Sequence, residues 1–228
     1  MLSRVDQGLL LASVLALFLS FFPWGQYVLY PFKLFTTWVH ECGHAFAALL
    51  MSKWVGGAVQ DITLHADTSG LTHYTLGDSR LARGFVASWG YLGATAVGCL
   101  LLWAARAAVP ATWVFWTLGS LMVLSVVFWV RNLFGIVSVL VLATTLVFAT
   151  TKAKGPYLQF GLQFLAVQTA LNALFDIRTL FGLSSSAASD AKTLESLFLL
   201  PAPVWALLWI ATSVAAFFWT WQHSGARS

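Results

Sequence analysis

Charge is what this sequence has least of. Lys, Arg, Asp and Glu together make up 9% of its 228 residues, against about a quarter in a soluble globular domain. With 59% hydrophobic residues, 18 Phe and 12 Trp, too few polar side chains remain to cover one water-facing core. That excludes a soluble enzyme and a disordered chain. It also excludes a nucleic-acid binder, because the 12 Lys and Arg behind the net charge of +4 stand singly between apolar runs and build no basic patch. Cations placed in this way suit anchors at a lipid headgroup layer. Cysteine is scarce too. Cys42 and Cys99 both fall inside apolar stretches, which argues for buried free thiols and against a disulfide framework. Internal repeats, low-complexity tracts and appended soluble domains are missing as well. The first apolar run, Gly8 to Phe22, lacks a small-x-small cleavage site and continues through Pro23 and Trp24. It is expected to be an uncleaved membrane span.

What the sequence has is apolar runs near the ~20 residues that a helix needs to cross a bilayer. They fall near 8–29, 32–52, 84–108, 111–130, 133–151, 160–181 and 201–222, the fourth and fifth separated only by Arg131 and Asn132. The expected fold is an all-α polytopic membrane protein with six to seven transmembrane helices, one membrane-embedded domain spanning 1–228. Two polar stretches interrupt it. Val59–His65 and Leu71–Leu76 flank the turn residues Ala66, Asp67, Thr68, Ser69 and Gly70. This pattern predicts a small β-hairpin over 58–76, between the second and third spans. Residues 182–200, with Ser184, Ser185 and Ser186, predict an interfacial segment in which Ser189 or Asp190 caps a short helix ending at Pro201. A slight excess of Lys and Arg on the N-terminal side favours a cytoplasmic N-terminus.

The chemistry is concentrated in His40-Glu41-Cys42-Gly43-His44, an H-E-x-x-H pattern inside the second apolar run. Positions four apart share a helix face, so His40 and His44 can present their imidazoles to one tetrahedral Zn²⁺. Glu41, beside them, is then placed to act as general base toward a zinc-activated water. Ionisable side chains at membrane depth are costly, which favours a site over a helix-packing cluster. A catalytic zinc needs a third protein ligand. Asp176 is one candidate, because it closes the stripe Gln159, Gln163, Gln168, Asn172, Asp176, a polar face that must look into the bundle. An ion pair of Asp176 with Arg178 or Arg131 is its bland alternative. Asp190 is the competing carboxylate, with a Ser-rich context that suits an N-cap.

These residues resemble the site-2 protease family of intramembrane zinc metalloproteases, in its compact branch without appended domains. The resemblance runs in order through the H-E-x-x-H segment, Ser69-Gly70-Leu71-Thr72-His73-Tyr74, Gly90-Tyr91-Leu92-Gly93, Arg131-Asn132-Leu133-Phe134-Gly135, Asn172 to Asp176 and Ser189-Asp190-Ala191. It implies that His40, His44 and Asp176 bind one Zn²⁺ per chain, that Glu41 activates water, and that Asn172 helps to orient the substrate backbone. The implied partners are the lipid bilayer and a membrane-protein substrate with a transmembrane segment. The sequence departs from the family where Ile177, in place of a glycine, follows Asp176.

The remaining features read structurally first. Gly90, Ala94 and Gly98 form a small-xxx-small stripe suited to close helix packing, here of the third span against the metal helix. The hairpin is a connection whose strand edge can also receive an extended peptide. His65 and His73 read as surface histidines before they read as a second metal pair. The rivals to a protease are a catalytically silent relative that binds or assembles membrane proteins, against which Glu41 argues, and a transporter, against which the lack of repeat halves argues.

Overall fold

The computed structural model describes residues 3–182 and 189–225, and of 177–182 the backbone only. Seven long helices, one short helix and a hairpin follow one another in the order α1 (Arg4–Phe21), α2 (Gly25–Val55), β1 (Gly57–Leu64), β2 (Gly70–Leu76), α3 (Arg80–Arg106), α4 (Ala111–Phe128), α5 (Leu133–Lys152), α6 (Gly155–Gly182), α7 (Asp190–Leu197) and α8 (Ala202–His223). Among the described residues, six helices (α1, α3, α4, α5, α6 and α8) are long and apolar enough to cross a membrane. The fold is thus the expected helical membrane bundle with one antiparallel hairpin. The run that drops out of the apolar set is α2. Its face carries Lys33, His40, Glu41 and His44 and turns inward to a polar site.

α3 is the hub and packs against α2, α6, α7 and α8. It approaches α2 closely, with glycine on both sides of the contact. A Cβ on Gly43 would lie 2.5 Å from the Trp89 carbonyl oxygen, and one on Gly93 would lie 3.2 Å from Gly43 Cα. The glycine inside H-E-x-x-H therefore exists for packing. Gly43→Ala forces two backbones apart and is expected to cost about 1–3 kcal/mol by overpacking, read as a lowered melting temperature in detergent; an unchanged melting temperature would mean that the helices can separate freely. The stripe of small residues on α3 divides its work. Gly90 faces His40 and His44, whereas Gly98 lies under Phe217 of α8 and the Ala170 backbone of α6. Polar pairs tie the bundle where lipid offers none: Trp38 Nε1 donates to Ser125 Oγ at 2.9 Å, and Thr95 and Ser213 hydroxyls lie 2.7 Å apart.

The β1 edge of the hairpin is hydrogen-bonded to the link between α4 and α5. Ile62 N–H donates to the Trp129 carbonyl and accepts from Arg131 N–H through its own carbonyl. Asn132 imitates one more strand residue, its amide oxygen accepting from Leu64 N–H and its amide nitrogen donating to the Leu64 carbonyl. The four-residue link between α4 and α5, 129–132, is thus a clamp on β1. Arg131 folds back and donates to the carbonyls of Val126, Val127, Phe128 and Val130, which satisfies the open end of α4. Arg131 is therefore a helix cap and not the partner of Asp176; the Arg178 side chain lies outside the described residues.

At the start of α7, Ser189 is the N-cap, its hydroxyl accepting from Lys192 N–H, and the helix ends at Leu197, ahead of Pro201. The serines 184–186 of the expected interfacial segment lie outside the described residues.

Candidate metal centre

Five elements meet at one cavity of about 580 Å³, which α2, β2, α3, α6 and the start of α7 line. α2 supplies His40 and His44, one helical turn apart, with their Nε2 atoms 3.0 Å from each other. Asp190 arrives from α7, with Oδ2 3.2 Å from His40 Nε2 and 3.3 Å from His44 Nε2. These three side chains form a group able to hold a metal ion. The separations suit one: bonds of about 2.0–2.2 Å in a tetrahedron set donor atoms about 3.3 Å apart. The chemistry of the set fits as well. His44 Nδ1–H donates to the Val86 carbonyl at 2.8 Å, which leaves Nε2 as the free lone pair and fixes the ring, as outer partners of metal-bound histidines do.

The surroundings leave little slack. A methyl on Gly90 would overlap both Nε2 atoms, so the α3 backbone forms a wall of the centre. Tyr91 stands edge-on to the His40 ring, centroids 4.6 Å apart, and stacks on Trp209. Glu41 is 5% exposed and turns toward β2, where the Thr72 hydroxyl donates to its Oε2 at 2.7 Å. On the α6 side, Asn172 Nδ2 donates to Thr36 Oγ1 at 3.3 Å, and Asp176 lines the same cavity.

The structure thus brings together His40, Glu41, His44 and Asn172 as the sequence suggested, and differs at the third acid. Asp190, not Asp176, stands against both imidazoles. The reason is local: Ser189 takes the capping role, and the next side chain is left to point from the first turn of α7 into the centre. Asp176, which closes the polar stripe on α6, lines the wall of the same cavity. The two hairpin histidines do not face one another. His73 Nδ1 lies 2.8 Å from Asp61 Oδ1, its cross-strand partner, and His65 sits in the turn. Thr72 and Tyr91 were given no role by the sequence. Alternation along β2 was the available signal for Thr72, since Gly70, Thr72 and Tyr74 share the face toward α2.

Helical spans around a His–His–Asp centre with a neighbouring glutamate define a membrane-embedded metallopeptidase architecture. The chain belongs to the Peptidase M50B-like family, part of the site-2 protease group, whose profile matches residues 10–220. With six apolar helices it is an integral membrane protein, and the family is zinc-dependent in general. No curated protein and no solved structure matches it.

Proposed function

We propose that this chain, a single membrane-embedded domain over residues 1–228, is an intramembrane zinc metalloprotease. It hydrolyses peptide bonds of membrane-spanning or membrane-anchored proteins. The observation that carries the reading is the convergence of His40, His44 and Asp190 on one point, with the Glu41 carboxylate in the same cavity. In this reading His40, His44 and Asp190 hold one Zn²⁺, which supplies Lewis acidity toward the scissile carbonyl and toward water. Glu41 accepts the proton of the attacking water on a carboxylate oxygen and passes it to the leaving amine. Asn172, anchored on Thr36 through its nitrogen, has its amide oxygen left to receive a substrate N–H. Asp176 adds a second carboxylate to the wall facing the substrate.

A helical substrate hides its peptide bonds, so it must unwind before attack. The hairpin supports a place for the unwound segment. Ile62 and Leu64 turn their backbone groups away from β2, toward 129–132. Their partners Thr72 and Gly70 must then turn theirs the other way, because opposed residues in an antiparallel pair point both inward or both outward. No strand covers that outer edge among the described residues, and Gly70, Leu71 and Thr72 line the cavity. An extended peptide added there would gain main-chain hydrogen bonds beside the metal. The test is zinc content per chain measured together with cleavage of a single-span peptide in liposomes. A metal-free chain that cleaves nothing would remove the enzymatic reading in favour of a silent binding protein.

A further inference from the structure

We infer that Thr72 is a positioning residue: the edge strand of the hairpin, through its hydroxyl, sets the orientation of the general base Glu41. The inference rests on the protease reading above and goes beyond it, because nothing in the H-E-x-x-H helix itself holds the Glu41 carboxylate. The Thr72 hydroxyl lies 2.7 Å from Glu41 Oε2 and 3.0 Å from the Glu41 carbonyl oxygen. Its single proton is thus shared between them, with the shorter bond to the carboxylate. Thr72 is 6% exposed and Glu41 5%, and a charge-assisted hydrogen bond in so dry a place is among the stronger ones.

The neighbouring residues make this contact directional. Gly70, two positions earlier on the same face of β2, leaves room for the acid: a Cβ there would fall 2.7 Å from Glu41 Cγ and 2.9 Å from Oε1. With Oε2 occupied by Thr72, Oε1 is the oxygen left for the proton in transit. The hairpin is also fastened to α2 near its turn. Thr37 Oγ1 donates to the Thr68 carbonyl at 2.7 Å, and the Tyr30 hydroxyl donates to the Ala66 carbonyl at 2.7 Å. Through these bonds the strand is indexed to the helix. The backbone of Thr72 faces the open edge where an extended peptide would pair, while its side chain grips the base. One residue therefore sets the distance between the scissile bond and the carboxylate, which is where small misplacements are costly.

The experiment compares Thr72→Val, which keeps the β-branched shape and removes the hydroxyl, with Thr72→Ser, which keeps the hydroxyl. Zinc content, kcat and KM on a single-span peptide in liposomes, and thermal unfolding in detergent are measured on the full chain. Thr72→Val is expected to keep zinc and KM while kcat falls roughly tenfold to a hundredfold, and Thr72→Ser to recover most of it. In unfolding, Thr72→Val should lower the melting temperature less in a Glu41→Ala background than in the parent chain. Parental kcat in Thr72→Val, no recovery by serine, loss of zinc in Thr72→Val, or equal melting shifts in both backgrounds would each overturn the inference. Failure of the underlying reading looks different: the parent chain itself would then cleave nothing.

Discussion

Glu41→Gln is expected to keep zinc at one ion per chain and to reduce hydrolysis by about 10²–10⁴-fold, the range for losing a positioned general base. Glu41 stands next to His40 in sequence, but its carboxylate is held by the Thr72 hydroxyl and is not one of the His40, His44 and Asp190 group. Its loss therefore removes proton transfer and leaves the metal held. Glutamine preserves the length of the side chain and still offers an oxygen to the Thr72 hydroxyl, so the melting temperature should barely move. His40→Ala and His44→Ala should do the reverse and lose the zinc. The His44 variant also gives up the bond to the Val86 carbonyl. Metal analysis of the purified variants beside a cleavage assay separates the cases. Zinc lost from Glu41→Gln would make Glu41 a ligand, and zinc retained in both histidine variants would remove the site from this helix.

Asp190→Ala should abolish activity and weaken zinc by more than about a hundredfold, beyond the loss typical of an outer-shell partner. Asp176→Ala should leave zinc bound. The contrast follows from position: Asp190 Oδ2 is within 3.3 Å of both imidazole nitrogens, and Asp176 lies on the cavity wall. Helix effects do not account for the expected result at Asp190. An acid in the first turn of α7 gains only about 0.3–1 kcal/mol from the helix dipole. Ser189→Ala is the matching control, since it removes the cap at a cost of about 1 kcal/mol and should leave zinc in place. Zinc retained by Asp190→Ala and lost by Asp176→Ala would restore the assignment suggested by the α6 stripe.

Much of this was legible in the sequence, for physical reasons. Membrane helices are written in runs of apolar residues because each must satisfy its own backbone and face lipid, and α1, α3, α4, α5, α6 and α8 follow those runs. The hairpin was legible from β-alternation around a Gly-containing turn. The metal helix was legible because ligands four apart on a helix need no partner element to come together, so His40, Glu41 and His44 carry their geometry within five residues. The third acid had no such local code. Asp190 lies 146 residues beyond His44, and only the packing of α7 on α3 and α8 brings it to the centre. From the sequence, its serine neighbours made it look like a cap, when the cap is Ser189. Thr72 was hidden for the same reason, since its hydroxyl acts across a contact between β2 and α2. The sequence by itself determined the class of bundle and the placing of His40, Glu41 and His44 within one turn of one helix. Tertiary packing decided which acid stands against the two imidazoles and which hydroxyl meets Glu41, because both depend on distances between different elements of the fold.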